Sequence, residues 1–202
     1  MNTPSHATAE IAATAARLVV EEGLEYGPAK TRAARQLGLT RRAALPGNDL
    51  IEDAVVEYLS LFCTDTQPGE LAALRRLAAV WMARLAEFRP HLCGAVWRGT
   101  ATRLNDIHLQ LFCDDPKSTE IALINAGVEY DVSSTTGARG QSVDCLSMTV
   151  PCDELKEPIG LHLTILDLDD LRGALKLDAK GRTERGDLDA LNSLLETPTP
   201  CA

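Results

Sequence analysis

The spacing of apolar residues changes once along this chain, near residue 90, and that change limits the folds open to it. From residue 7 to about residue 89, apolar side chains recur at helical spacing, as Ile11, Ala15 and Leu18 do. From Leu92 onward they alternate with polar ones, which is typical of half-buried strands. We therefore predict an α+β protein, with a helical region over residues 1–90 and a mixed β-sheet with flanking helices over residues 91–202.

The helical region is predicted to contain about four helices. Glycine and proline mark their ends, because glycine favours the position just after a helix and proline the first turn. Gly23 is placed to end the first helix, and Pro68-Gly69 to precede the fourth. The later helices are predicted over Pro28 to Leu37, over Leu50 to Phe62, and from Pro68-Gly69 to about Phe88.

The second region is predicted to contain five strands, of which the second alternates most strictly. They are Gly94 to Trp97, Asp106 to Phe112, Val128 to Ser134, Gln141 to Val150 and Ile159 to Leu166, the third and fourth joined as a hairpin. Asp115-Pro116 opens a short helix that Gly127 closes. Residues 174–185 are expected to form a polar loop, and Leu188 to Leu195 a last helix.

The charge of the chain disfavours broad binding of polyanions. Its 202 residues carry a net charge of −9, which repels phosphate backbones. One segment departs from this balance: residues 24–47 carry a net +4, concentrated between Lys30 and Arg42. This segment resembles the first half of a helix-turn-helix, although Pro46-Gly47 interrupts the place of a recognition helix. Nucleic-acid binding through residues 30–42 is thus an unfavoured alternative that stays open.

The cysteines and the apolar runs point to a reducing compartment. Six cysteines occur, none with CxxC spacing and none with an evident histidine partner in the sequence. Apolar runs stay well below the roughly 18 residues of a membrane span. We expect a cytoplasmic protein without a structural zinc site and without a membrane partner.

One stretch, RGTATRLNDIHLQLF over Arg98 to Phe112, carries the main chemical signal. A Gly-Thr corner, a short spacer and a strand beginning with aspartate resemble the nucleotidyltransferase superfamily that includes DNA polymerase beta. The resemblance covers roughly residues 92–170, and it implies a nucleotidyltransferase-like sheet. Gly99-Thr100 would then match the phosphate-binding corner and Asp106 the first metal-binding aspartate.

The resemblance also implies where metal ligands belong. Residues i and i+2 of a strand face the same side, so two carboxylates there hold the magnesium ions that bridge a nucleoside triphosphate. Here His108 stands at the second position, and the strand expected to carry a third acid offers His162. Magnesium binds imidazole poorly, so two-magnesium catalysis should be badly impaired. Glu129, Asp131 and Asp144 are alternative third acids.

Several interpretations of this site stay open. The leading one is a nucleotidyltransferase-like protein with an altered metal site that binds a nucleotide through Gly99 and Thr100, or that regulates a protein partner. A second is an active enzyme that uses Mg²⁺ or Mn²⁺ to move a nucleotidyl group from a nucleoside triphosphate to a hydroxyl, with Asp131 or Asp144 as base.

Two further interpretations concern the histidines. Asp106, His108 and His162 would suffice for a rebuilt site that holds Mn²⁺ or Zn²⁺. Alternatively, both histidines are ordinary polar residues on a solvent-facing sheet surface. Because the residues between them need the buried face, we expect Asp106, His108 and His162 to share one sheet face beside Gly99.

Overall fold

The computed structural model describes residues 6–39, 44–137, 140–173 and 181–196. These residues form an α+β fold, as the change in apolar spacing predicts. The helices are α1 (His6–Glu22), α2 (Tyr26–Gln36), α3 (Asn48–Phe62), α4 (Gln67–Arg84), α5 (Gly94–Arg98), α6 (Pro116–Asn125) and α7 (Leu188–Glu196). The strands are β1 (His91–Cys93), β2 (Ile107–Cys113), β3 (Asp131–Thr136), β4 (Ser142–Cys152), β5 (Glu157–Asp167) and β6 (Arg185–Gly186), and 3₁₀ turns cover Ala86–Phe88 and Leu168–Gly173.

Two separate apolar cores hold these elements. The first lies among α1, α2 and α3 and includes Ile11, Ala33 and Val55. The second lies between α4 and one face of the sheet, and α6 and α7 contribute Leu123 and Leu191 to it. Helix α4 precedes residue 90 in the chain, yet it shares its core with the sheet and not with the other N-terminal helices.

The six strands form one mixed sheet in the order β3-β4-β5-β2-β1-β6. Strand β2 lies parallel to β5, and the other pairs are antiparallel. The two central strands, β5 and β2, are therefore far apart in the chain. The β3–β4 hairpin forms one edge of the sheet.

Side chains on the central strands alternate between a core face and a polar face. Leu109, Leu146, Leu161 and Leu163 point into the core and are fully buried. The residues between them point to the opposite face, where only one small apolar cluster, around Phe112 and Leu166, is found among the described residues. Most of this second face is thus free to carry polar side chains.

The prediction of one strand was wrong. Gly94 to Trp97 was expected to be extended, but these residues form the short helix α5, and the strand before it is His91–Cys93. Gly94 has a φ of +72°, which ends the extended conformation and turns the chain into the helix. The apolar run that suggested a strand is explained by the burial of Val96 in the second core.

The other predicted elements are present with shifted ends. Asp115 caps α6 as expected, since its side chain accepts a hydrogen bond from the Lys117 N–H at 3.0 Å. Of the predicted polar loop, residues 174–180 lie outside the described residues, and Arg185–Gly186 form the edge strand β6. Within the described residues, no helix has the length and apolar character needed to cross a membrane.

Candidate functional site

One residue from each strand lies in a single row across the polar face of the sheet. Consecutive members are Cα partners in neighbouring strands, so their side chains emerge on the same side. We call this set the polar row, in the order Asp131, Ser147, His162, His108, Cys93 and Arg185. It brings two of the predicted metal ligands and one of the predicted bases onto one surface.

A chain of hydrogen bonds runs along the middle of this row. Ser147 Oγ lies 2.8 Å from His162 Nδ1, and His162 Nε2 lies 3.1 Å from the Asp106 carboxylate. Asp106 is the residue just before β2, and it also accepts a hydrogen bond from the Gly160 N–H at 3.2 Å. Asp106, His162 and Ser147 are therefore linked, although they come from three separate segments of the chain.

The position of Asp106 depends on a glycine. The carboxylate crosses directly over Gly160, and a Cβ at that position would overlap its oxygens. Since a side chain cannot share this space, glycine is required at residue 160 for the contact between Asp106 and His162. This role was not visible in the sequence, because it depends on the pairing of β2 with β5.

The charges in the cluster follow from its contacts. The hydrogen bond to Asp106 raises the pKa of His162 to about 9, and the contact with His162 in turn lowers the pKa of Asp106. Burial, followed by the nearby charge of His162, lowers the pKa of His108. Near pH 7 His162 is an imidazolium paired with a carboxylate, and His108 is neutral.

The three predicted metal ligands lie together but are not arranged around a common point. The rings of His108 and His162 are stacked, with centroids 4.9 Å apart. Both nitrogens of His162 are already bonded, to Ser147 and to Asp106. Among the described residues, no group of three His, Cys, Asp or Glu side chains has the geometry to hold a metal ion. Asp106 and His162 bond each other, and a cation bound by both would have to displace that existing partner.

A cavity of about 280 Å³ opens beside Asp106 and His108, between α5 and the turn from α1 to α2. We call it the corner cavity; Gly94, Arg98 and Thr100 also line it. A Cβ on Gly94 would stand 3.7 Å from the His108 ring, so this glycine brings the start of α5 close to the polar row.

Two hydroxyl groups at the corner cavity lack a completed hydrogen bond. Thr100 is 4% exposed, and its Oγ1 is buried without a partner. The Tyr26 hydroxyl is likewise buried and unpartnered. They lie near each other and near the Arg98 guanidinium, but neither achieves ordinary hydrogen-bond geometry. Buried polar atoms are rarely left unsatisfied, so these two call for a ligand or an ordered water.

A second cavity of about 600 Å³ adjoins the first and shares Tyr26 and Arg98 with it. We call it the outer cavity. Trp97 lines it, and so does Glu52, which is 5% exposed and forms ion pairs with Arg98 at 3.8 Å and Arg182 at 2.7 Å. The charge of this buried carboxylate is therefore neutralised from both sides.

A third cavity of about 750 Å³ lies on the polar face at the other side of Asp106. Its lining includes His162, Ser147 and two of the predicted acids, Glu129 and Asp131. We call it the face cavity. Asp106 lines both the face cavity and the corner cavity.

The structure does not bring Asp144 to this site. Asp144 lies on β4 in the same alternation as Leu146 and Met148, which face the core, and its charge acts on Lys117 of α6. Asp131, by contrast, belongs to the polar row. Of the two predicted bases, only Asp131 therefore shares a face with Asp106.

The two residues of the predicted phosphate-binding corner, Gly99 and Thr100, lie against different parts of the protein. Thr100 lines the corner cavity, whereas Gly99 ends α5 and faces Arg75 and Leu71 of α4. The glycine that faces His108 and lines the corner cavity with Asp106 is Gly94, directly after β1. Gly94 stands between Cys93 and Ala95, whereas Gly99 follows the charged Arg98, so a glycine between an apolar and a small residue could have been found from the sequence.

The basic segment is partly occupied by internal contacts. Lys30 donates to Asn48 at 2.6 Å, and Arg32 forms a two-bonded ion pair with Glu22. Arg41 and Arg42 lie outside the described residues. Nucleic-acid binding through this segment remains a prediction.

One cysteine has a histidine neighbour that the sequence did not reveal. Cys145 lies two residues before Ser147 on the same side of β4, with its Sγ 4.0 Å from Ser147 Oγ. The nearby His162 side chain lowers the pKa of Cys145. Cys145 and His162 are brought near each other only by the pairing of β4 with β5, so the sequence alone did not reveal that they are neighbours.

No family model, curated protein or solved structure matches this chain.

Proposed function

We propose that this protein is a nucleotidyltransferase-like module that binds a nucleotide in the corner and outer cavities without a metal ion. Three features support the proposal. A strand, a glycine turn and a second strand that directly follows Asp106 stand in the order that the resemblance requires. The three positions expected to hold metal ligands face one another across β2 and β5. Two linked cavities lie beside them.

The unpaired hydroxyl of Thr100 is the observation that carries the proposal. A buried hydroxyl without a partner costs about 1–3 kcal/mol, and a ligand that supplies the missing partner recovers that free energy. Thr100 lines the corner cavity together with Arg98, whose guanidinium is suited to a phosphate oxygen. A phosphate placed there would bond both side chains.

The charges near the cavities explain why a metal ion is not needed. An isolated Asp106 would repel phosphate, and in a metal-dependent enzyme the metal ion removes that repulsion. Here the His162 imidazolium pairs with Asp106 at 3.1 Å and neutralises its charge. Arg98 and Arg182 do the same for Glu52 in the outer cavity.

The outer cavity provides room for the rest of the nucleotide. The outer cavity has about twice the volume of the corner cavity, and Tyr26 and Arg98 line both of them. Trp97 lines the outer cavity, and an indole ring is a suitable surface for stacking a base. We therefore assign the phosphates to the corner cavity and the base to the outer cavity.

Calorimetry with ATP, GTP, CTP and UTP tests this proposal, each titrated with Mg²⁺ and again with a chelator. At least one nucleotide should bind with similar affinity in both conditions. Thr100→Val, which keeps the shape of the side chain and removes its hydroxyl, should weaken binding about 5- to 100-fold, whereas Thr100→Ser should retain it.

Two outcomes contradict the proposal. The absence of binding by all four nucleotides would remove it. Binding that requires Mg²⁺ and leads to turnover would instead favour the active enzyme, and Asp106→Ala should then abolish transfer of the nucleotidyl group.

A further inference from the structure

We propose that the corner and outer cavities bind a nucleotide with a single phosphate group, and that they discriminate against nucleoside di- and triphosphates. The inference rests on the proposed function, because it names the class of ligand for the same two cavities. It departs from what the resemblance implies, which is a nucleoside triphosphate held by magnesium ions.

The positive charge available to a ligand is small. Arg98 is the only lysine or arginine that lines the corner cavity in the described part of the chain. Its guanidinium lies 3.8 Å from the Glu52 carboxylate, which Arg182 approaches at 2.7 Å. Two guanidinium groups and one carboxylate leave this group of three with a net charge of +1. One phosphate group carries about −1 as a diester and about −1.5 to −2 as a monoester, so a single group suffices to balance it.

The other charged residues of the corner cavity are carboxylates. Glu25 and Asp106 both line it, and only the charge of Asp106 is offset by an imidazolium, that of His162 at 3.1 Å. A second or third phosphate group would add negative charge beside Glu25. Like charges in a partly buried cavity repel more strongly than in bulk water, because less solvent separates them. In metal-dependent enzymes a magnesium ion offsets such repulsion, but His108 stands where that ion would need a second carboxylate.

The unpartnered hydroxyls of Thr100 and Tyr26 also suit one phosphate group. Both residues line the corner cavity with Arg98, whose guanidinium carbon lies 5.7 Å from the centre of the Tyr26 ring. A phosphate group has several acceptor oxygens, so one group can accept from a guanidinium and from two hydroxyls. Because the hydroxyls are neutral, they add hydrogen bonds to that group and do not balance the charge of another.

Calorimetry of the full-length protein with a chelator present tests the proposal. The 5′-mono-, di- and triphosphates of all four nucleosides are titrated, together with the 3′,5′-cyclic monophosphates. For at least one base, a ligand with a single phosphate group should bind at least about tenfold more tightly than the triphosphate, because each added charge lacks a cation. Tighter binding of the cyclic form than of the 5′-monophosphate would identify a diester as the preferred ligand, and the reverse order a monoester.

Glu25→Gln tests the source of this preference. The Glu25 side chain makes no capping hydrogen bond to α2, so the substitution leaves that helix end unchanged. It should strengthen triphosphate binding about 2- to 10-fold more than monophosphate binding, because the more highly charged ligand is repelled more by the carboxylate. Glu10→Gln on α1 is the matched control, since Glu10 carries the same charge and lines neither cavity.

The outcomes separate this inference from the proposed function. Triphosphates that bind as tightly as the single-phosphate ligands would overturn the inference and leave the proposed function standing. No binding by any nucleotide of the series would remove the proposed function and this inference with it. An effect of Glu25→Gln no larger than that of Glu10→Gln would also overturn the inference, since the charge of the cavity would then not determine the preference.

Discussion

The His108 ring lies against the His162 ring, with centroids 4.9 Å apart and planes inclined by 19°. The two rings differ in charge, because burial lowers the pKa of His108 whereas Asp106 raises the pKa of His162 to about 9. A neutral ring is thus stacked on an imidazolium at the place where the resemblance expects two carboxylates. The positive charge at this place is carried by a side chain of the protein, that of His162.

The pairing of His162 with Asp106 predicts that His162→Gln destabilises the protein in a pH-dependent way. Because the pKa of His162 rises from an ordinary 6.5 to about 9 on folding, its contribution is complete below pH 6.5 and is lost as the pH approaches 9. The lowered pKa of Asp106 makes its own contribution present above about pH 4 and lost under more acidic conditions.

Urea unfolding at pH 5.5 and at pH 9.5 measures this effect. We expect the free-energy difference between the two proteins to be larger at pH 5.5 by about 1–2 kcal/mol, a value reduced for screening because Asp106 is half exposed. A difference that does not change between the two pH values would show that the two side chains are not an ion pair in solution.

Gly160→Ala should displace the Asp106 carboxylate, because a Cβ at residue 160 occupies the same space. We expect a loss of about 1–3 kcal/mol in the free energy of unfolding and a fall in the pKa of His162, which NMR titration of the ring would follow. Gly69→Ala in α4 is the matched control, since nothing lies within 4 Å of its added methyl group. Equal effects of the two substitutions would contradict the close approach of Asp106.

His108→Asp should restore two carboxylates at positions 106 and 108 and raise the affinity for Mg²⁺ to a detectable level. Magnesium prefers oxygen ligands, and the new side chain also removes the stacked ring from the site. Calorimetric titration with MgCl₂ measures the change, and His108→Asn serves as the control of similar shape without the charge. If Mg²⁺ binding stays undetectable, the interpretation of these residues as an altered metal site loses its support.

Thr100→Val should leave the ligand-free protein equally stable or stabilise it by about 1 kcal/mol. The substitution removes a buried hydroxyl that lacks a partner, and valine fills the same volume. Thermal unfolding without ligand gives this result. A loss of more than 1 kcal/mol would mean that the Thr100 hydroxyl is already bonded inside the protein, and that it is not available to a ligand.

The local sequence pattern predicted most of the helices and strands. The contacts at the site that it missed depend on pairing between strands. Strict alternation around Ile107 was enough to place Asp106 and His108 on one face. In a strand that buries every second residue, the residues between the buried ones all lie on the opposite face. The positions of Ser147 and Cys145 relative to His162 could not be predicted in this way. They depend on the register of β4 against β5, which alternation within one strand leaves undetermined.

The helix α5 was missed for a different reason. A five-residue apolar segment such as Gly94–Arg98 is too short to show a helical period, and only the positive φ of Gly94 distinguishes it from a strand. The sequence could not predict that the Thr100 hydroxyl lacks a hydrogen-bond partner, because its burial depends on how the neighbouring helices pack.

The parallel pairing of β2 with β5 also determines when this site comes into existence during folding. Asp106 and His162 are separated by 56 residues, and the β3–β4 hairpin lies between them in the chain. Closing so long a loop is slow compared with forming a local hairpin or helix. The hairpin can assemble while Asp106 is still distant from His162. The carboxylate–imidazolium pair is therefore a late event, and its NMR signature would mark chains that have completed their sheet.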